Sequence, residues 1–315
     1  MPRPILVTGA SGFAGGHLLD LLAGRSVPGG VVGWHRPGRM PPAPRSSVTW
    51  EAVDLLDRSP VLDAIARLKP ATVYHCAGAA HVGQAWERTE ATFATNVRGT
   101  HYLFAALGLA GGETRVIMPS SALVYRPATE PLTEDHPLVP TSPYGLSKLA
   151  QELLGTHAPP GVHVSIARAF NHFGPRQDPA FSTSGFARQI AAIEAGLQPP
   201  ELRVGNLEAQ RDLTDVRDTV RAYSMIADHG RPGRAYNVCS GRAVAIREVL
   251  DMLLARARIP IRVHVDAARF RPNDVPLLLG NPTRAREELG WTPLIPIEQT
   301  IDDVLGYWRD VISAA

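Results

Sequence analysis

The residues of this 315-residue chain best suited to chemistry are Tyr144 and Lys148, in the run Tyr144-Gly145-Leu146-Ser147-Lys148. Four apart on a helix, they share one face and lie a turn from each other. Lys148 is one of only two lysines among 32 basic residues, so lysine stands here in a chain that otherwise uses arginine. A compact ammonium can grip a sugar diol and lower the pKa of a nearby phenol, which the broad, planar guanidinium does badly. The pair therefore reads as a tyrosine that gives and takes protons, and the chain as an enzyme. The same spacing also occurs as an ordinary surface pair, and the remaining motifs decide between the two.

Those residues need a scaffold. A short apolar strand, Ile5-Leu6-Val7, runs directly into Thr8-Gly9-Ala10-Ser11-Gly12-Phe13-Ala14-Gly15, which opens a helix from Gly12 to Ala23. Glycines there permit a tight turn and let the backbone approach a pyrophosphate seated over the helix N-terminus. Further strands are predicted at Val31-Val32, Val48 to Val53, Thr72 to Cys76, Arg115 to Met118 and Val162 to Ala167. Helices are predicted from Pro60 to Leu68, along one long stretch from Gln84 to Leu109, and around Tyr144 and Lys148. Such alternation predicts an α/β fold, a Rossmann-type doubly wound parallel sheet.

After Phe170, loops rich in Pro, Gly and Asn alternate with short helices (Phe186 to Ala195, Ile246 to Ala257, Ile297 to Val311), as in a smaller α/β substrate-binding domain. Asp215 to Ser240 is expected to return to the main sheet. The expected domains interleave: residues 1–168 with about 215–240 bind the dinucleotide, and about 169–214 with 241–315 bind the substrate.

Hydrophobic content of 44%, charged content of 20% and a net charge of +2 describe a soluble globular protein with no general electrostatic case for nucleic acid. Cys76 and Cys239 are too few for a secreted disulfide framework, and no spacing suggests a metal site. No apolar stretch is long enough to cross a membrane, and the first strand starts too early to leave room for a signal peptide. A cytoplasmic location is the expectation.

Together, the glycine turn, the Tyr144/Lys148 pair and Ser120-Ser121 resemble the extended short-chain dehydrogenase/reductase family over nearly the whole chain. The resemblance implies a nicotinamide cofactor and a Ser–Tyr–Lys catalytic group. Within it Ser121, four residues before Tyr125, is chosen over Ser120. It also implies cofactor contacts at Gly9, Ser11, Gly12, Phe13, Gly15, Asp54, Leu55 and Ala77, besides Tyr144 and Lys148. NAD-using relatives usually carry an acid after the second strand. This chain instead reads Gly33-Trp34-His35-Arg36-Pro37-Gly38-Arg39. Arg36, then Arg39, are the expected partners of a 2′-phosphate, which favours NADP(H) over NAD(H).

Three further segments resemble GDP-mannose 4,6-dehydratases and GDP-4-keto-6-deoxymannose reductases: Val204 to Asp212, Arg271 to Pro276, and Leu279 to Pro282 ahead of Leu289-Gly290-Trp291. With Arg168 to Pro175, which resembles the family's sugar-nucleotide loop, they imply a GDP-sugar substrate. Asn171 would contact it. Arg211 and Arg271 are the candidate diphosphate partners, Arg188 a further one, and Asp274 a ribose acceptor. Phe173 and Arg126 depart from the family pattern, which predicts an altered sugar pocket.

Related dehydratases place a glutamate two residues before the tyrosine that follows Ser121, and GDP-fucose epimerase–reductases a cysteine. Ala122 and Leu123 stand here, and neither transfers a proton. What remains is NADPH-dependent reduction of the C4 ketone of a GDP-4-keto-6-deoxyhexose, giving a GDP-D-rhamnose-type product in deoxysugar biosynthesis. The alternatives are a nucleotide-sugar 4-epimerase, a GDP-mannose 4,6-dehydratase and, outside enzymes, a nucleotide-sensing binding protein. The resemblance further implies a homodimer formed through Gln84 to Leu109 and Pro143 to His157.

Overall fold

The structure, a computed structural model, describes residues 2–38, 47–266, 268, 270 and 275–314; Arg39, Arg271 and Asp274 lie outside the described residues. In chain order the first elements are β1 (Ile5–Thr8), α1 (Phe13–Ala23), β2 (Val31–His35), β3 (Val48–Ala52), α2 (Arg58–Leu68) and β4 (Thr72–His75). There follow α3 (Gln84–Glu87), α4 (Thr89–Phe93), α5 (Gly99–Ala110), β5 (Thr114–Ser121), α6 (Pro143–Thr156), β6 (Val162–Ala169) and β7 (Asn171–Phe173). The second half holds α7 (Ser182–Glu194), β8 (Glu201–Val204), β9 (Gln210–Asp215), α8 (Val216–His229), β10 (Ala235–Val238) and β11 (Ala243–Ala245). It ends with α9 (Ile246–Leu254), β12 (Arg262–Val265), β13 (Leu277–Leu278), α10 (Thr283–Leu289) and α11 (Ile297–Ser313).

Seven strands pair in the order β10-β6-β5-β4-β1-β2-β3, every neighbour parallel. Strand order reverses between β1 and β4, the place where open α/β sheets bind their ligands. The apolar runs of β1, β4, β5 and β6 are buried on both faces, as a parallel sheet requires. On one face α1 and α8 lay Leu18, Leu19, Leu22, Val220 and Tyr223 against the strands. On the other, α2 and α5 supply Val61, Ile65, Leu103 and Leu107.

A separate apolar cluster gathers Phe186, Ile190, Val249, Leu253, Val304 and Trp308 from α7, α9 and α11. Around it β9 pairs with β7, β11 and β13, and β8 with β12. Asp212 of β9 is fully buried, and it accepts hydrogen bonds from the backbone N–H of Ser240, Gly241 and Gly280. One carboxylate thus pins the strand to the loops that follow β10 and β13.

The long helix predicted from Gln84 to Leu109 is broken. Arg88 leaves helical geometry between α3 and α4, and Ala94–Arg98 forms a π-helical turn before α5. The wider turn faces Asn96 inward, where its Oδ1 accepts from Ala79 N–H at 2.8 Å and its Nδ2 donates to Ser147 at 2.9 Å. Both partners are distant in sequence, so apolar periodicity carried no sign of the break.

Candidate active site

The glycine turn lies at the reversal point. Gly9 has φ +63°, and a Cβ there would stand 2.6 Å from the backbone N of Ala77, so the turns after β1 and β4 meet only because a glycine occupies this position. No side chain caps α1, whose first-turn N–H groups lie beside the exposed Gly12. An uncapped helix start behind a turn this tight fits a dinucleotide pyrophosphate. Ser11 and Phe13 are partly exposed at the same turn.

Arg36 follows β2, is exposed, and makes no ion pair with a described residue; its carbonyl lies 3.1 Å from His35 Nδ1. Asp54 accepts from Leu56 N–H at 2.9 Å, which shapes the turn into α2, and Leu55 is buried in the core.

The candidate reacting groups come together at the C-terminal end of β5. Ser142 caps α6 by accepting from Gly145 N–H at 3.1 Å, and Pro143 holds the first helical position. A Cβ at Gly145 would meet the Leu123 carbonyl at 2.3 Å, so glycine lets α6 press against the segment after β5. That approach brings the Tyr144 phenol beside Ser121, whose hydroxyl acts to lower the phenol's pKa. Ser121 Oγ also accepts from Leu123 N–H at 3.1 Å. Ser120 points the other way, donating to the buried Glu152, which forms an ion pair with Arg168 at 2.8 Å. Its hydroxyl is committed to that pair. Arg168 also donates to the Tyr125 hydroxyl at 3.0 Å, and Tyr125 in turn donates to Asn237 at 2.7 Å.

Lys148 is buried and donates to the Pro119 carbonyl and to Gln151 Oε1, each at 2.6 Å. Burial lowers its pKa to about 8, with Glu152 opposing the shift. Burial raises the Tyr144 phenol to about 12, opposed by the hydrogen bond with Ser121. Tyr144 is therefore a protonated phenol at neutral pH. The polypeptide alone does not bring it near pH 7. Ala122, Leu123 and Val124 form a short 3₁₀ turn after Ser121.

The substrate candidates spread over the smaller unit. Asn171 opens β7 and is exposed. Arg211, on β9, donates to the Val275 carbonyl at 2.7 Å and so holds the end of the segment that carries Arg271 and Asp274. Arg188 is exposed on α7, its guanidinium 5.8 Å from the Trp308 ring. Phe173 is buried in the smaller unit's core, so its departure from the family pattern is one of packing. His172 is held by the Phe170 carbonyl at 3.2 Å and stacks on Phe13, and burial lowers its pKa.

Sequence reasoning missed Asn96 and Gln151. Gln151 carried a faint signal: an amide three residues beyond Lys148 shares its inward face. Asn96 carried none.

Comparison with known proteins gives the site a family. The model for GDP-mannose 4,6 dehydratase matches residues 6–304. The GDP-6-deoxy-D-mannose reductase of Pseudomonas aeruginosa is 35% identical over 314 residues, covering 98% of each chain. The structure of RMD from Pseudomonas aeruginosa complexed with NADPH is similar with a TM-score of 0.84 at 32% identity, over 98% of this chain and 99% of that one. The Thermus thermophilus UDP-glucose 4-epimerase in complex with NAD is similar with a TM-score of 0.85 at 26% identity, again over 98% and 99%. With its parallel sheet, glycine turn and Ser–Tyr–Lys convergence, this chain belongs to the GDP-mannose 4,6-dehydratase family of extended short-chain dehydrogenases/reductases.

Proposed function

We propose that this protein reduces the C4 ketone of a GDP-4-keto-6-deoxyhexose with NADPH, giving a GDP-D-rhamnose-type sugar. One observation carries the reading: a protonated phenol lies beside Ser121, and Ala122 and Leu123 follow that serine where a proton-moving side chain would stand. Water loss across C5 and C6 needs a group that moves the C5 proton, and neither Ala122 nor Leu123 can do so. The similarity to a GDP-6-deoxy-D-mannose reductase supports the same conclusion.

A bound nicotinamide would supply the hydride to C4. Tyr144 gives its proton to the ketone oxygen as negative charge builds there, and Ser121 donates a hydrogen bond to the same oxygen. Lys148 would hold the cofactor ribose, Gly9 to Gly15 the pyrophosphate, and Arg36 with Arg39 the 2′-phosphate. The diphosphate of the sugar nucleotide is assigned to Asn171, Arg188, Arg211 and Arg271, and its ribose to Asp274. On this reading residues 1–168 with about 215–240 hold the cofactor and the remainder holds the substrate. A homodimer through α3, α4, α5 and α6 belongs to the same proposal.

The test supplies GDP-4-keto-6-deoxymannose with NADPH, follows the cofactor absorbance and identifies the product by NMR. NADPH is expected to be consumed with a lower KM than NADH. Preference for NADH removes the roles of Arg36 and Arg39. Turnover without added reductant points to an epimerase, and water loss from GDP-mannose to a dehydratase.

A further inference from the structure

Lys148 is anchored by a buried chain of hydrogen bonds that proton transfer itself does not use. Gln151 lies one turn along α6 and is fully buried. Its Oε1 accepts from Lys148, and its Nε2 donates to Thr100 Oγ1 at 2.8 Å. The single hydroxyl proton of Thr100 goes to the Asn96 carbonyl at 2.6 Å, a group that can only accept. Thr100 Oγ1 must then accept from both Gln151 and His75, whose Nε2 is 2.8 Å away. That fixes His75 as the Nε2–H tautomer, with Nδ1 accepting from the Thr8 hydroxyl at 2.8 Å. Thr8 Oγ1 accepts in turn from Ala77 N–H at 3.3 Å, beside the glycine turn. Each group has one role. Gln151 cannot reverse its amide without turning N–H groups onto an ammonium and leaving Thr100 facing a carbonyl.

We propose that Gln151 is a positioning residue: it locks Lys148 in the ammonium form and, with the Pro119 carbonyl, keeps the third N–H available for the cofactor. This rests on Tyr144 and Lys148 being the reacting pair. The other groups facing Lys148 do not do the same work. Glu152, on α6, is taken up by Arg168 and Ser120. From the end of β4, burial holds the Cys76 thiol neutral, with its pKa raised to about 12, and His75 neutral, with its pKa lowered to about 3. Pro119, from β5, offers only its carbonyl. Among the described residues Gln151 is the one side chain seen accepting from the ammonium.

The composition makes the test direct, because Lys69 and Lys148 are the only lysines. Full-length protein labelled with ¹³C at lysine Cε gives two signals, and Lys69→Arg assigns them. Lys148 should titrate near 8. In Gln151→Leu its midpoint should fall by about one pH unit, the loss expected of one hydrogen bond to a charged group, and kcat should fall by about twofold at pH 7 and about tenfold at pH 9. In Gln151→Glu the midpoint should rise. The alkaline limb of kcat should follow the NMR midpoint in both variants, with KM for the sugar nucleotide unchanged. Midpoints that stay at the parent value, or move the same way in both variants, overturn the proposal. If circular dichroism shows Gln151→Leu unfolded, the direction taken by Gln151→Glu decides. Full activity in Tyr144→Phe would sink the Ser–Tyr–Lys reading itself. An inactive Tyr144→Phe beside unshifted Gln151 variants would sink only the role of Gln151.

Discussion

Tyr144 and Ser121 are held together by contacts of different range. The tyrosine comes from the first turn of a helix, the serine from the end of a strand, and the Gly145–Leu123 contact closes the gap. Ser120 could not substitute for Ser121, because alternate residues of a strand face opposite sides and its hydroxyl serves Glu152. A phenol kept protonated by burial suits a group that must give a proton to a ketone. Tyr144→Phe keeps the ring and removes only that proton. Steady-state kinetics should show kcat lower by about 10²–10⁴-fold, the usual worth of a positioned acid. A KM for NADPH within about twofold of the parent would place the loss in chemistry rather than in binding. Unchanged kcat would mean that some other group supplies the proton.

α6 organises the site as an element. Tyr144, Lys148, Gln151 and Glu152 recur along its inward face, so one helix sets the proposed proton donor, the cation, the amide that holds the cation and the carboxylate that binds Arg168. Its outer face is apolar where solvent would favour charge. Leu146 and Leu153, two turns apart, are 49% and 54% exposed, and Trp86 on neighbouring α3 is 54% exposed. A second copy of the same face would cover them, as the proposed dimer requires. Leu153→Arg puts a charge in that contact without touching the inward face. Sedimentation should then show a monomer where the parent is a dimer. A parent that already sediments as a monomer would refute the arrangement.

Two ring pairs join the sheet to the smaller unit at the scale of the whole molecule. Phe13 stacks on His172 with centroids 5.9 Å apart, and His81 on Phe181 at 4.8 Å. Both pairs link segments at the C-terminal edge of the sheet to the chain that follows β6, so the two units meet around the site. His17 adds a third link, its Nε2 lying 2.9 Å from the Pro175 carbonyl. Burial lowers His17 to about 4 and His75 to about 3, from 6.5. The unfolded chain therefore takes up these protons first, and stability present above pH 6.5 is lost as pH falls toward the folded values. Each histidine should cost about 1.4 kcal/mol per pH unit across that window. Urea midpoints should decline steadily from about pH 7 to about pH 5. A midpoint that holds constant over that range would mean these rings take up protons without opposing the fold.

The Tyr144–Lys148 pairing on one helical face and the sheet were legible in the chain because their signals are local. Four residues from Tyr144 to Lys148 place both on one helical face, and a strand running into a glycine turn needs no distant partner to be recognised. The inward turn of Asn96 and the Gln151–Thr100–His75 chain were hidden, since each depends on residues 17 to 51 positions apart meeting in space. Residue order thus determined which functional groups exist and on which elements they ride. Tertiary structure alone decided that the Ser120 hydroxyl goes to Glu152, that burial lowers Lys148 to about 8, and that Asn96 and Gln151 turn inward onto distant partners. Protonation and hydrogen-bond direction follow from burial and from the partners that assembly supplies, and a linear chain has neither until it folds.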